Sequence, residues 1–129
     1  MIRSTTSAIS RALIPRFNIM RGMRTVLTEV ESTKQFQEKL AGDKLVVVQY
    51  SASWCGPCRM MRPKVEALSE TMTDVDFLYV DIEEHAALAE EAEIESVPTF
   101  AFFKQNKLVD QFAGANPDKL HDALQKARQ

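Results

Sequence analysis

The sequence predicts an α/β domain with a central mixed β-sheet flanked by helices on both faces. Three observations carry that reading. Strand-like and helix-like segments alternate along residues 25–129. One β-branched run is too continuous to leave either of its faces in water. The last two strand-like runs are joined by a connection too short to cross over, so they pair as a hairpin beside parallel neighbours.

The elements follow in order. Val26–Val30 reads as a short strand, after which Ser32 or Thr33 can cap a helix through about Leu40, with Phe36 and Leu40 on its buried side. Gly42-Asp43 ends that helix, and Leu45-Val46-Val47-Val48-Gln49-Tyr50 is the continuous run, a central strand covered on both faces. From Pro57 to about Met72 the spacing of Met61, Val65, Leu68 and Met72 is that of a helix laid on a core. Pro63 inside it is expected to bend it. Phe77–Val80 predicts another buried strand, followed by a helix from about His85 to Glu93 and the short turn Ser96-Val97-Pro98. Thr99–Phe103 and Leu108–Phe112 flank Gln105-Asn106-Lys107 as a hairpin. Gly114 then turns the chain out of the sheet. Asn116 as cap with Pro117 at the first helical position opens a last helix to about Ala127, with Leu120 and Leu124 inward.

Composition narrows the function classes. The chain has 129 residues, 45% of them apolar and 26% charged, which fits one globular domain with a short appendage. Residues 1–28 hold five Arg and no acid, leaving 11 Lys+Arg against 18 Asp+Glu, or −7, for residues 29–129. A domain of that charge repels a polyphosphate backbone, so nucleic-acid binding is disfavoured. Four scattered Gly spell neither a dinucleotide fingerprint nor a phosphate-binding loop. No apolar stretch approaches the roughly 18 residues of a membrane span.

Residues 1–24 read as an address. Arg3, Arg11, Arg16, Arg21 and Arg24 are interspersed with Ser4, Thr5, Thr6, Ser7 and Ser10, and the first acid is Glu29. At 100° per residue Ile2, Ile9 and Leu13 share one helical face, with Arg3 and Arg11 off it, until Pro15. A basic amphipathic segment of this kind marks a mitochondrial transit peptide and a matrix location. The alternative is a basic tail without an address on a cytoplasmic protein. Ala12-Leu13-Ile14 is too short for a secretory signal core.

The chemistry resides in Trp54-Cys55-Gly56-Pro57-Cys58. Its cysteines are the only two in the chain, and a two-residue spacing at a strand-to-helix junction puts both sulfurs within reach of one reversible disulfide. Cys55, at the helix N-terminus, faces unpaired backbone N–H groups and the positive end of the helix dipole, which stabilise a thiolate. It is expected to be the exposed nucleophile, with Cys58, one turn in and partly buried, attacking second. Gly56 lets backbone approach closely, and Pro57 starts the helix without wasting a donor. A zinc site needs four ligands, and His85 and His121, 27 and 63 residues beyond Cys58, do not supply a matching pair. No metal is expected. Both histidines read as solvated surface, and Glu83-Glu84 and Glu90-Glu91 as charged helix surface rather than a carboxylate dyad.

With those residues in hand, Thr25–Gln129 resembles the thioredoxin family, through the strand-Trp54-Cys55-Gly56-Pro57-Cys58-helix block with Pro63, the Val97-Pro98-Thr99 turn, and Gly114 after the last strand. The resemblance implies a thioredoxin fold and a protein-disulfide reductase. A lowered pKa of the first thiol is a known trait of this family, so that expectation also rests on the resemblance. It implies as well a cis bond before Pro98, a substrate surface of Trp54, Val97, Pro98, Gly114 and Ala115, and the Gly56-Pro57 dipeptide of members that reduce rather than oxidise. Electrons would come from NADPH through a flavoprotein thioredoxin reductase, so that NADPH and FAD act through the partner and no cofactor is bound here. Clients would be disulfide-containing proteins such as peroxiredoxins, and the protein a monomer.

One position departs from the family. Where relatives carry a buried Asp six residues before the first cysteine, this chain has Gln49, and Tyr79 stands where many place a charged partner for it. An amide hydrogen-bonds but takes up no proton, so resolution by Cys58 either slows or uses water or the attacking thiolate instead. A second function class stays open beside catalysis: a binding module that uses the same surface, with Cys55 and Cys58 as a redox gate.

Overall fold

A computed structural model describes residues 26–129; the expected address segment, residues 1–24, lies outside them. Five strands and four helices alternate: β1 (Leu27–Glu29), α1 (Thr33–Leu40), β2 (Leu45–Ser51), α2 (Gly56–Thr71), β3 (Val75–Asp81), α3 (Ala86–Glu91), β4 (Thr99–Lys104), β5 (Lys107–Ala113) and α4 (Pro117–Ala127). The strands form one sheet in the order β1-β3-β2-β4-β5. β1 and β2 run parallel to β3, while β4 is antiparallel to both β2 and β5, so the sheet is mixed, as expected.

Local chemistry sets the boundaries. The Ser32 side chain accepts from the Gln35 N–H and Asn116 from the Lys119 N–H, capping α1 and α4. Gln105 and Asn106, at φ 49° and 67°, make the two-residue turn between β4 and β5, whose twist requires positive φ. α2 runs continuously through Pro63. α3 is shorter than expected, because Ala92 caps it and Glu93, at φ 56°, leaves the helical region.

Side chains alternate across the sheet. Leu45 and Val47 of β2 point, with Phe77, Phe100 and Phe102, to the layer of Met61, Val65, Leu120 and Leu124 from α2 and α4. Val46, Val48 and Tyr50 point, with Leu78, Val80 and Ala101, to Phe36, Leu40 and Leu88 from α1 and α3. Every residue of β2 is buried, as a central strand between two helical layers must be. This rigid strand ends at Ser51, and the chain passes directly into Ala52–Cys55. Among the described residues no helix is long and apolar enough to cross a membrane.

Two sequence expectations are corrected. His85 is not solvated: its side chain is 12% exposed, and Nε2 lies 2.8 Å from the Val30 carbonyl, tying the turn before α3 to the end of β1. The reason is topological, since β1 and β3 are neighbours and the residues following both meet at one sheet end. Glu83-Glu84 is not helix surface either. It lies in the turn ahead of α3, where the Asp81 carboxylate accepts from both backbone N–H groups at 2.8 and 3.2 Å. His121 on α4 is exposed, as read from the sequence.

Candidate redox site

The site is built where β2 ends and α2 begins. Cys55 is the N-cap of α2, in extended conformation, and its Sγ accepts from the Cys58 N–H at 3.1 Å. A sulfur at this position takes the place of a capping oxygen and meets the donors that a helix terminus leaves unpaired. Pro57 occupies the first turn, where its missing N–H costs nothing. Cys55 and Cys58 are joined as a disulfide, with Cα atoms 5.3 Å apart. Gly56 and Pro57 are exposed between them.

Burial orders the two sulfurs less sharply than expected. Cys58 is fully enclosed and Cys55 is 4% exposed, so the first cysteine is the more accessible but is not an open nucleophile in the disulfide. The cover is identifiable. Ala52 and Val97 pack on the pair, and the Val97 carbonyl oxygen stands 3.8 Å from Cys55 Sγ.

The Val97-Pro98 bond is cis. The Thr99 hydroxyl donates to the Ser96 carbonyl at 2.7 Å, and the Gly114 N–H donates to the Pro98 carbonyl at 2.9 Å. Gly114 has φ +119°, a conformation that side chains resist, which accounts for glycine where β5 leaves the sheet. Half-buried Val97 packs on the cysteines, and the bond from Gly114 to buried Pro98, made where β5 pairs with β4, brings half-buried Gly114 to the same turn, with half-buried Ala115 following it in the chain. Trp54 is 63% exposed, and its indole N–H donates to Glu83 Oε2 at 3.0 Å.

The local sequence around Glu83 carries no sign of this contact with Trp54. A topological signal existed: β2 and β3 are parallel neighbours, so Trp54 and Glu83 leave the same sheet end. Arg59 Nη1 donates to the Ser53 carbonyl at 2.7 Å, closing the other side of the loop.

Beneath α2 the sheet turns polar. Gln49 is 1% exposed and lies between Tyr79 of β3 and Phe100 of β4 in register. Its Nε2 donates to the Cys58 carbonyl at 3.4 Å, which also orients the amide, because only N–H can meet a carbonyl there. The Tyr79 hydroxyl donates to fully buried Ser51 Oγ at 2.9 Å, and the Arg62 guanidinium stacks 4.5 Å over the Tyr79 ring. Hydrogen bonds to Glu29 and Glu66 hold the Arg62 pKa above its ordinary value against the cost of its partial burial. Among the described residues no cluster of three His, Cys, Asp or Glu side chains could hold a metal.

Known proteins are similar to this chain in sequence and fold. Residues 27–126 match the family model described as Thioredoxin. The thioredoxin of Equus caballus is 46% identical over 101 residues, covering 77% of this chain and 96% of the relative. Among solved structures, thioredoxin NaTrxh from Nicotiana alata is 36% identical with a TM-score of 0.78, covering 81% of this chain and 95% of its own. Mitochondrial thioredoxin 3 from Saccharomyces cerevisiae, in its oxidised form, is 31% identical with a TM-score of 0.73, covering 78% and 94%. With its thioredoxin fold and a Cys55–Cys58 pair fit for dithiol–disulfide exchange, the chain belongs to the thioredoxin family of protein-disulfide oxidoreductases.

Proposed function

We propose that this protein reduces protein disulfides in the mitochondrial matrix, taking its electrons from NADPH through a flavoprotein thioredoxin reductase. The observation that carries the reductase reading is the Cys55–Cys58 pair at the start of α2 beneath the Val97 carbonyl. In the dithiol form, Cys55 Sγ attacks one sulfur of a client disulfide, and the client's other sulfur leaves as a thiolate. Cys58 then loses its proton and attacks Cys55 Sγ, releasing the second client thiol and closing the protein disulfide. Trp54, Val97, Pro98, Gly114 and Ala115 form the surface on which the client segment lies. The partner reductase restores the dithiol, so neither NADPH nor FAD binds this chain. The Arg-rich, acid-free residues 1–24 support the matrix location, and the yeast relative is a mitochondrial thioredoxin. Peroxiredoxins are clients of suitable chemistry, and the protein works as a monomer.

NADPH oxidation by the full chain with a thioredoxin reductase and a disulfide-bonded protein substrate tests this reading. Turnover should vanish in Cys55→Ser, and Cys58→Ser should accumulate the mixed disulfide. Undiminished turnover in Cys55→Ser would overturn the reading, and partner capture that survives replacement of both cysteines would mark a binding module instead. A reporter carrying residues 1–24 that stays outside mitochondria would remove the matrix assignment.

A further inference from the structure

Two side-chain tips of β2 have no hydrogen-bond partner among the described residues, and their surroundings differ. Gln49 Oε1 is sealed inside the protein. Tyr50 is only 1% exposed, but it lines a cavity of about 650 Å³ on the opposite face of the sheet, between α1, α3 and the β4–β5 hairpin. Sites for small molecules have volumes of roughly 300–1,000 Å³. A buried hydroxyl without a protein partner at such a wall is a polar anchor for whatever fills the cavity.

The walls define the occupant. Phe36 and Leu40 of α1, Leu88 of α3 and Phe103 of β4 make the body of the cavity apolar. The rings of Phe36 and Phe103 meet edge to face, at 87° with centroids 6.5 Å apart, an arrangement that a further aromatic ring extends. The charged side chains of the lining are Glu91 and Glu93, both exposed and neither in an ion pair among the described residues. The lining contains no Lys, Arg or His. Glu91 is near enough for its charge to act on the Tyr50 hydroxyl, which helps the phenol to keep its proton. An ammonium group has only donors to offer, and the hydroxyl oxygen and the carboxylate both accept. An anion of the same shape is repelled.

We propose that this cavity binds small aromatic amines, with the ring among Phe36, Leu88 and Phe103 and the ammonium group between the Tyr50 hydroxyl and Glu91. The site lies across the sheet from α2 and does not rest on the dithiol-exchange reading.

Titration of the isotope-labelled full chain with tryptamine, followed through its backbone amide resonances, tests this. The amides of Leu88, Glu91 and Phe103 should shift and saturate in the millimolar range, the affinity usual for a ligand of that size. Indole-3-propionate, with the same ring and the opposite charge, should cause no saturating shift. Tyr50→Phe keeps the ring and removes the hydroxyl, and Glu91→Gln removes the charge; each should weaken tryptamine binding about fivefold. Glu91 is exposed, so its variant serves if Tyr50→Phe does not fold. Shifts that never saturate, equal binding of the two probes, or unchanged affinity in either folded variant overturns the proposal. Shifts centred on Cys55 overturn it as well, by placing the amine on the redox site instead.

Discussion

The two faces of β2 are made of the same strand and differ in kind. On the α1 and α3 side, Val46, Val48 and Tyr50 continue an apolar layer to the end of the strand. On the α2 and α4 side, Leu45 and Val47 begin an equally apolar layer, but Gln49 and Ser51 replace it as the strand approaches Cys58. Both faces are shut off from water to the same degree. Enclosure thus does not dictate composition here: one face serves stability, and the other gives up some of it where the sheet meets the redox pair. The only large side chain with a polar tip on the first face, Tyr50, shows the pressure there. Burial, with Glu91 nearby, pushes its hydroxyl pKa up to about 12.

This contrast can be broken from either side. Moving an amide to the apolar face, as Val48→Gln, should cost about 3–5 kcal/mol, because a 0% exposed site offers neither room nor partners. Urea unfolding reads that loss, and a cost below about 1 kcal/mol would show the first face to be more tolerant than its packing implies. The next effect concerns Tyr50. Its folded pKa lies above the unfolded value near 10, so its contribution is fully present below pH 10 and is lost as pH rises towards 12. The fall should reach about 2–3 kcal/mol and be absent in Tyr50→Phe, as measured by stability against pH in both proteins. The smallest effect belongs to the polar face. Tyr79→Phe removes the donor to Ser51 but keeps the ring under Arg62, and should cost about 1 kcal/mol by thermal unfolding of the disulfide form. A loss as large as that of Val48→Gln would make the polar row a structural requirement after all.

Much of this architecture was legible in the residues. The run Leu45–Tyr50 announced a strand covered on both sides, Asn116-Pro117 placed the start of α4, and the two-residue spacing of Cys55 and Cys58 announced the disulfide. These features depend on neighbours in sequence, where periodicity and cap chemistry operate. The partnerships of His85 with Val30, Trp54 with Glu83 and Tyr79 with Ser51 did not show. Each joins residues brought side by side only when β1, β2 and β3 align. Ser51 offered a faint signal, as a second polar residue two places after Gln49 and so on the same face. The unmet oxygen of Gln49 had no such signal, because what an amide meets at its far end is decided by how α2 settles on the sheet.

The bond from the Gly114 N–H to the Pro98 carbonyl couples two loops that belong to different strands. Thr99 fastens the first of them again through Ser96. On the proposed function, a client segment arriving over Cys55 would meet two loops already tied together, with little conformational entropy of the loops left to lose at the moment of contact.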